Sequence, residues 1–229
     1  MSGSPVRPYP FDHRRAVRHL RQVHPHMAAL VTSVGRFRMP METHAEPFHA
    51  LLRAIVFQQL HGTAARAILA RIEAQVGQGA PPSPAQVLAA TEAALRATGL
   101  SRQKIAAVRD LAAKTEAGVV CGWQDIVAVP DDEIIARFTQ VRGVGPWTVQ
   151  MLLIFRLGRP DVLPIHDYGV QQGFQIAYGK RRLPTPKELA AAGEVWRPWR
   201  SVASWYLWQA VRLERELGRE LKRETPPQA

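Results

Sequence analysis

The sequence predicts an all-α chain arranged as two helical lobes, and three observations carry that prediction. Apolar residues recur at helical spacing from residue 12 to residue 217, whereas the alternation that marks a half-buried strand is scarce. The strongest strand pattern, "ALVTSVGRFRMP" at residues 29–40, gathers β-branched residues ahead of Pro40 and reads as a loop or hairpin. A chain of 229 residues with 46% hydrophobic content also supplies the core of one domain or of two small lobes.

A first helix is expected from Asp12, an N-cap, to Leu30, made basic by His13, Arg14, Arg15, Arg18 and Arg21. A second follows Pro47, with Phe48, Leu51, Leu52, Ile55 and Val56 forming one apolar face. It runs into "FQQLHGTAARAI", where Gly62 breaks the pattern and Thr63 caps a third helix that continues to Val76. "GQGAPPSPAQ" is a linker, because its glycines and prolines sustain neither helix nor strand. Ser83 or Pro84 starts a short helix ending near Thr98. In "TGLS" a glycine stop precedes a new N-cap at Ser101, and the next helix sets Arg102, Lys104 and Arg109 beside Ile105, Val108 and Leu111. "PDDEIIARFTQ", residues 130–140, places three acidic side chains in a first turn, where the helix dipole favours anions. Pro146 opens a helix to about Leu157, "GRPDVLPIHD" turns the chain, and a further helix spans Asp167 to Ala177. The last long element starts near Glu194 and carries "EVWRPWRSVASWYLWQAVRLERELG". The expected lobes are residues 50–162, including a hairpin at 141–146, and residues 1–49 joined to 163–229, with the functional site in the cleft between them.

Composition narrows the function classes. A formal net charge of +11 attracts polyanions, although charge alone does not separate a nucleic-acid surface from a chain that is arginine-rich throughout. The single Cys121 excludes an internal disulfide and an iron–sulfur cluster. The eight histidines are scattered, and none sits with cysteine or carboxylates at zinc-ligand spacing. There is no GxxxxGK[ST] phosphate loop and no GxSxG nucleophile turn. No apolar run approaches a membrane span, and "MSGSPVRPYPFDHRR" lacks the apolar stretch of a signal peptide, so no membrane partner and a cytoplasmic location, nucleoid-associated if bacterial, are expected.

The most informative stretch is "VRGVGPWTVQM", residues 141–151. Glycines at 143 and 145 permit the positive φ and close backbone approach of a compact turn, and Pro146 suits a first helical position. The amides of Gly143, Val144 and Gly145 at a helix N-terminus then form an uncharged, sequence-blind phosphate site. The same glycines also suit an ordinary turn between two helices. Downstream, "LPIHDYGVQ" carries Asp167, either a functional carboxylate or an N-cap for the helix it precedes. His166 beside it is read as solvent-facing or bound to a loop carbonyl.

Together these residues resemble a known family. "VRGVGPWTVQMLLIFRLGRPDVLPIHDYGVQQGF" resembles the signature of the helix-hairpin-helix DNA glycosylases, which end their hairpin in Gly/Pro and place one catalytic aspartate downstream. "AIVFQQLHGTAARAI", "LRATGLSRQKIAAVRDLA" and "EVWRPWRSVASWYLW" resemble the 3-methyladenine DNA glycosylase branch, and the likeness spans most of residues 45–210. Larger relatives carry a β-rich domain ahead of the helices, so the compact form is expected here. The resemblance implies a monomeric enzyme of base excision repair acting on double-stranded DNA with alkylated purines, without a required cofactor.

It also assigns roles. Asp167 is the catalytic residue, since cleavage of the C1′–N bond builds positive charge on the sugar that a carboxylate stabilises while orienting or deprotonating a water. Bifunctional relatives carry a lysine just after the hairpin; an indole at Trp147 cannot attack the sugar, so hydrolysis without strand nicking follows. Gln59 or Leu60 fills the gap left by the extruded nucleotide, with His61 in the minor groove, unless Leu60 packs inward at a helix end. Trp147, Tyr168 and one or both of Trp196 and Trp199 form an aromatic pocket for a cationic base, while Trp205 and Trp208 are assigned to the core. A positively charged purine also departs readily, so a loose pocket suffices. The carbonyls of Phe138, Val141 and Val144 are able to hold a monovalent cation, though no side chain demands one. Two other readings remain: a non-catalytic DNA-binding module in which Asp167 only caps a helix, and a glycosylase for another base lesion.

Overall fold

The structure, a computed structural model, describes residues 9–42 and 46–224, with side chains to residue 217. Among the described residues there are thirteen α-helices, one 3-10 turn and no strand. The chain divides into two compact units, Met1–Met41 with Ile154–Ala229, and Glu42–Leu153. These boundaries correct the expected ones at residues 49/50 and 162/163. Residues 47–49 belong to α3 (Pro47–Phe57), which packs along its length on α4 (Gly62–Gln75) and α7 (Arg102–Glu116). Residues 159–162 are tied to the last helix instead: the Ser201 hydroxyl donates to the Arg159 carbonyl at 2.6 Å and accepts from the Val162 N–H at 2.9 Å.

In the first unit the expected helix from Asp12 to Leu30 is two helices, α1 (His13–Val23) and α2 (Pro25–Val34). Pro25 crowds the residue before it out of the helical region, and His24 is accordingly extended at φ -158° and ψ 133°. Asp12 does cap α1, accepting from the N–H groups of Arg14 and Arg15. α2 continues through Val34, so the first half of "ALVTSVGRFRMP" is helical. Burial of Met27, Leu30 and Val31 outweighs the β preference of its valines and threonine.

In the second unit, α4 starts two residues earlier than expected, with His61 rather than Thr63 at the cap position. The stretch expected as one helix to Thr98 is α5 (Pro84–Ala89) and α6 (Glu92–Ala97), because Ala90 turns extended and Thr91 caps anew by accepting from the Ala94 N–H. The Arg109 guanidinium seals that break by donating to the Ala90 carbonyl at 2.6 Å. A one-turn α8 (Trp123–Ile126) follows, then α9 (Asp131–Phe138) with its acidic first turn and α10 (Pro146–Phe155).

The chain returns to the first unit with α11 (Tyr168–Ala177), α12 (Pro186–Gly193), the 3-10 turn Glu194–Trp196 and α13 (Arg200–Glu224). Apolar periodicity does not reveal α12, although "TPKE" holds a complete capping box between Thr185 and Glu188. α11 and α13 form the most extensive helix pair, and Gly173 is what lets them approach: a Cβ there would collide with the Leu207 backbone carbonyl. Gly173→Ala is therefore expected to destabilise the fold by about 1–3 kcal/mol, the usual scale of overpacking. Thermal unfolding followed by circular dichroism checks this, with Tm falling roughly 2–4 °C per kcal/mol; an unchanged Tm would refute the close approach.

Candidate active site

Asp167 is the N-cap of α11, and its carboxylate is held at two points. Oδ1 accepts from the Val170 N–H at 2.7 Å and from the indole Nε1–H of Trp208, on α13, at 2.8 Å. The residue is only 9% exposed. Its own N–H donates to the Pro164 carbonyl at 2.9 Å, which closes the turn leading into the helix. Upstream, Asp161 accepts from the guanidinium groups of Arg200 and Arg197, each at 2.7 Å, so the loop carrying Asp167 is fastened to the head of the helix that carries Trp208.

Trp208 is the side chain that helical spacing misplaces. Its spacing assigns it to the core, yet it is half-buried, stacks on Phe155 at 5.5 Å and donates to the carboxylate. Forty-one residues separate the partners, so no local pattern reveals the bond. One signal does exist, in Gly169. A Cβ there would lie 2.9 Å from Trp208 Cδ1 and 3.1 Å from Asp167 Oδ1, so a side chain would wedge the indole away. Beside this pair a cavity of about 340 Å³ is lined by Gly169, Trp208, Val211, Arg212, Arg215 and Glu216.

The other aromatic candidates separate. Tyr168 is 61% exposed next to Asp167, and Trp199 is half-buried with its ring 5.8 Å from Phe11. Trp196 is fully buried, against Phe174 and Tyr178, and this corrects its assignment to a base pocket. The 3-10 turn aims it inward, where it fills space that α11 leaves. Burial pushes the Tyr178 phenol up to about 12, partly offset by the Trp196 indole, although that N–H has no partner at full hydrogen-bond geometry among the described residues. His166 is exposed, as read from sequence.

In the second unit, Gln59, Leu60 and His61 form an exposed turn after α3. Leu60 is 39% exposed and does not pack inward, and Gln59 adopts φ +56°, an uncommon conformation for a residue with a side chain. Lys104 holds this turn: its ammonium, on the first turn of α7, donates to the carbonyls of Val56 at 2.6 Å and Gln58 at 2.8 Å. Partial burial lowers the Lys104 pKa from its ordinary value. Gln58 then reaches the hairpin, donating through Nε2 to the Gly143 carbonyl at 2.8 Å. The sequence marks Lys104 only as a helix residue and gives no sign of this role.

The hairpin itself is shaped by Asp110, which accepts from the Arg142 N–H at 2.7 Å and pairs with Lys114 at 2.6 Å. Burial raises the Asp110 pKa, but Lys114 and the Arg142 amide outweigh it and hold the carboxyl below its usual range. Gly143 takes φ +78°, as expected; Gly145 does not take a positive φ, and open space surrounds its Cβ direction. The N–H groups of these two glycines have no acceptor among the described residues. Val144 corrects the expectation of three available amides, because its N–H bonds to the Val141 carbonyl at 3.0 Å and its side chain is buried. Trp147, the second residue of α10, is 49% exposed rather than core.

Among the described residues no cluster of His, Cys, Asp or Glu is built to hold a metal. The carbonyls of Phe138 and Val141 accept from the N–H groups of Val141 and Val144 respectively, and each oxygen keeps a second lone pair of the hard kind a monovalent cation takes. No helix among the described residues is long and apolar enough to cross a membrane.

Comparison with known proteins agrees with this geometry. The DNA-3-methyladenine glycosylase 1 of Schizosaccharomyces pombe is 34% identical over 197 residues, 85% of this chain and 86% of its own. A solved structure of the 3-methyladenine DNA glycosylase from that organism, in complex with abasic DNA, matches with a TM-score of 0.74 over 85% of this chain and 95% of the other. The DNA-3-methyladenine glycosidase of Bacillus halodurans, 32% identical, matches with a TM-score of 0.80 over 88% and 91%. With residues 52–198 matching its pattern, the chain belongs to the HhH-GPD superfamily of base excision DNA repair proteins.

Proposed function

We propose that this protein is a DNA glycosylase that hydrolyses the N-glycosidic bond of alkylated purines such as 3-methyladenine and 7-methylguanine, leaving an abasic site. The observation that carries the proposal is the Asp167 carboxylate, largely buried and oriented by the Val170 amide and the Trp208 indole. The names of relatives above 30% identity support the substrate class.

As the base leaves, positive charge grows on the deoxyribose. A fixed carboxylate stabilises that charge without reorganising and accepts a proton from the attacking water. Two donors on Oδ1 keep the group from rotating to meet solvent. The residue after Pro146 supplies an indole instead of an amine, so water rather than a side-chain amine takes the place of the departing base at C1′, and the sugar stays in an intact strand. Base release needs the nucleotide outside the stack. The exposed Gln59, Leu60 and His61 suit the filling of the vacated position, and the amides of Gly143 and Gly145 suit a phosphate nearby in the duplex. On the unit that bears Asp167, Tyr168 and Trp199 offer ring surface to a cationic base, and on the other unit Trp147 is an exposed ring suited to the same role. A monovalent cation, if bound, would be held by the carbonyls of Phe138, Val141 and Val144.

The bond from Val170 also fits a second reading, in which Asp167 merely caps α11 within a non-catalytic DNA-binding module. Asp167→Asn separates the two, because asparagine caps a helix about as well as aspartate but carries no charge. On duplexes with single lesions, assayed for alkali-labile abasic sites, this variant is expected to lose about a hundredfold or more in single-turnover rate, with Tm nearly unchanged. Release at a near wild-type rate would sink the catalytic assignment.

Trp208→Phe keeps a ring for Phe155 and removes the donor. The expected loss in rate is about tenfold, the order of one hydrogen bond to a charged group, with intact DNA affinity; an unchanged rate would mean the indole does not position the carboxylate. At the hairpin, Gly145→Asp has room for its side chain, so Tm should hold. Its charge would repel phosphate, and DNA affinity measured at several salt concentrations should fall; unchanged affinity would count against the hairpin as a phosphate clamp.

A further inference from the structure

A trough on the unit that bears Asp167 carries charge that the proposed reaction leaves unused. After α2 the chain passes through "RFRMP" with alternating sides: Phe37 and Met39 are buried, while Arg36 and Arg38 are exposed. The segment is pinned to α13, where the Tyr206 hydroxyl donates to the Gly35 carbonyl at 3.0 Å and Phe37 meets Trp205 edge-on at 4.9 Å. Against α13 it leaves a cavity of about 460 Å³ lined by Val34, Arg36, Arg38, Trp205, Gln209 and Arg212. Arg212 also lines the cavity beside Gly169 and Trp208, together with Arg215. Residues 205, 208, 209, 212 and 215 recur at helical spacing, so both cavities open along one face of α13.

Four arginines therefore face one path that begins at the partner of the Asp167 carboxylate. The opposing charge is Glu216, which pairs with Arg212 at 2.8 Å. Arg36, Arg38 and Arg215 have no ion-pair partner among the described residues. Trp205 is nearly covered and offers no face for a base to stack on, so the path recognises charge rather than sequence.

We infer that this trough holds the sugar–phosphate backbone of the lesion-bearing strand, on one side of the nucleotide presented to Asp167. A strand whose nucleotide is drawn to Asp167 must continue away from it in both directions, and the arginine path leaves from that place. The inference rests on DNA being the substrate, but not on which base is released.

The test measures affinity by fluorescence anisotropy with three duplexes containing an abasic analogue: one with both arms long, and two with either arm cut short beside the analogue. Arg36→Glu/Arg38→Glu is expected to raise Kd by about tenfold or more on the long duplex and to shallow the dependence of log K on log salt by roughly 2, about one unit for each phosphate no longer neutralised. It should do the same on one truncated duplex and have little effect on the other, since the trough takes a single arm. Equal affinity and equal slope on all three would overturn the inference. So would an equal loss in Lys180→Glu/Arg181→Glu, a matched reversal elsewhere on the same unit, because net charge alone would then explain the effect. Should the double glutamate variant fold poorly, Arg36→Gln/Arg38→Gln is read by the same criteria, with a smaller rise in Kd and about the same change in slope, since it also leaves two phosphates unneutralised. A wild-type protein that releases no alkylpurine while its trough variants still lose affinity would defeat the proposed reaction and leave the trough standing.

Discussion

The geometry around Asp167 turns on the bond between the Trp208 indole and Asp167 Oδ1. A carboxylate this buried requires donors, and the Val170 amide supplies only what any N-cap receives. The indole reaches it because several features of the first unit converge. Gly173 lets α11 and α13 approach, Gly169 leaves room for the ring, and Phe155 stacks behind it. Ser201 and Arg200, about two turns ahead of Trp208 on α13, bind the loop that delivers Asp167. A single helix thus positions both the carboxylate and the group that orients it.

The second unit solves a different problem, holding exposed backbone in an uncommon shape. Gln59 at positive φ, in a turn with the exposed Leu60 and His61, and the Gly143 turn are each secured by a polar side chain. Lys104 fastens the first turn, Asp110 the second, and Gln58 joins them. Contacts of this kind are blind to base identity, which suits a protein that must survey DNA of any sequence before it meets a lesion. In the proposed reaction, selectivity for the lesion falls to the aromatic surface and to the lability of the charged base.

Much of the fold was legible because it follows from local chemistry. Capping residues at Asp12, Ser83, Ser101 and Asp167, the acidic turn of α9 and the start of α10 at Pro146 all appear where the sequence places them. Expectation and structure part where one local rule overrides another. Pro25 divides a helix whose apolar spacing continues across it, and the capping box of α12 sits inside a stretch too short to show periodicity. The valines of α2 prefer strand in isolation but are helical because their neighbours bury them.

The tryptophans show the limit most clearly. Trp196 and Trp208 both lie in apolar, helix-like surroundings, and nothing within a few residues of either tells which one reaches the carboxylate. The sequence by itself determined the all-α class, the phosphate-friendly turn, the aspartate at 167 and the absence of a lysine at 147, because each depends on residue identity at short range. Only the tertiary structure decided that Trp196 is core while Trp208 reaches the carboxylate, and that Arg36 and Arg38 share a trough with Arg212. Those facts depend on how segments far apart in the chain pack, and packing is a property of the whole unit that no window of sequence contains.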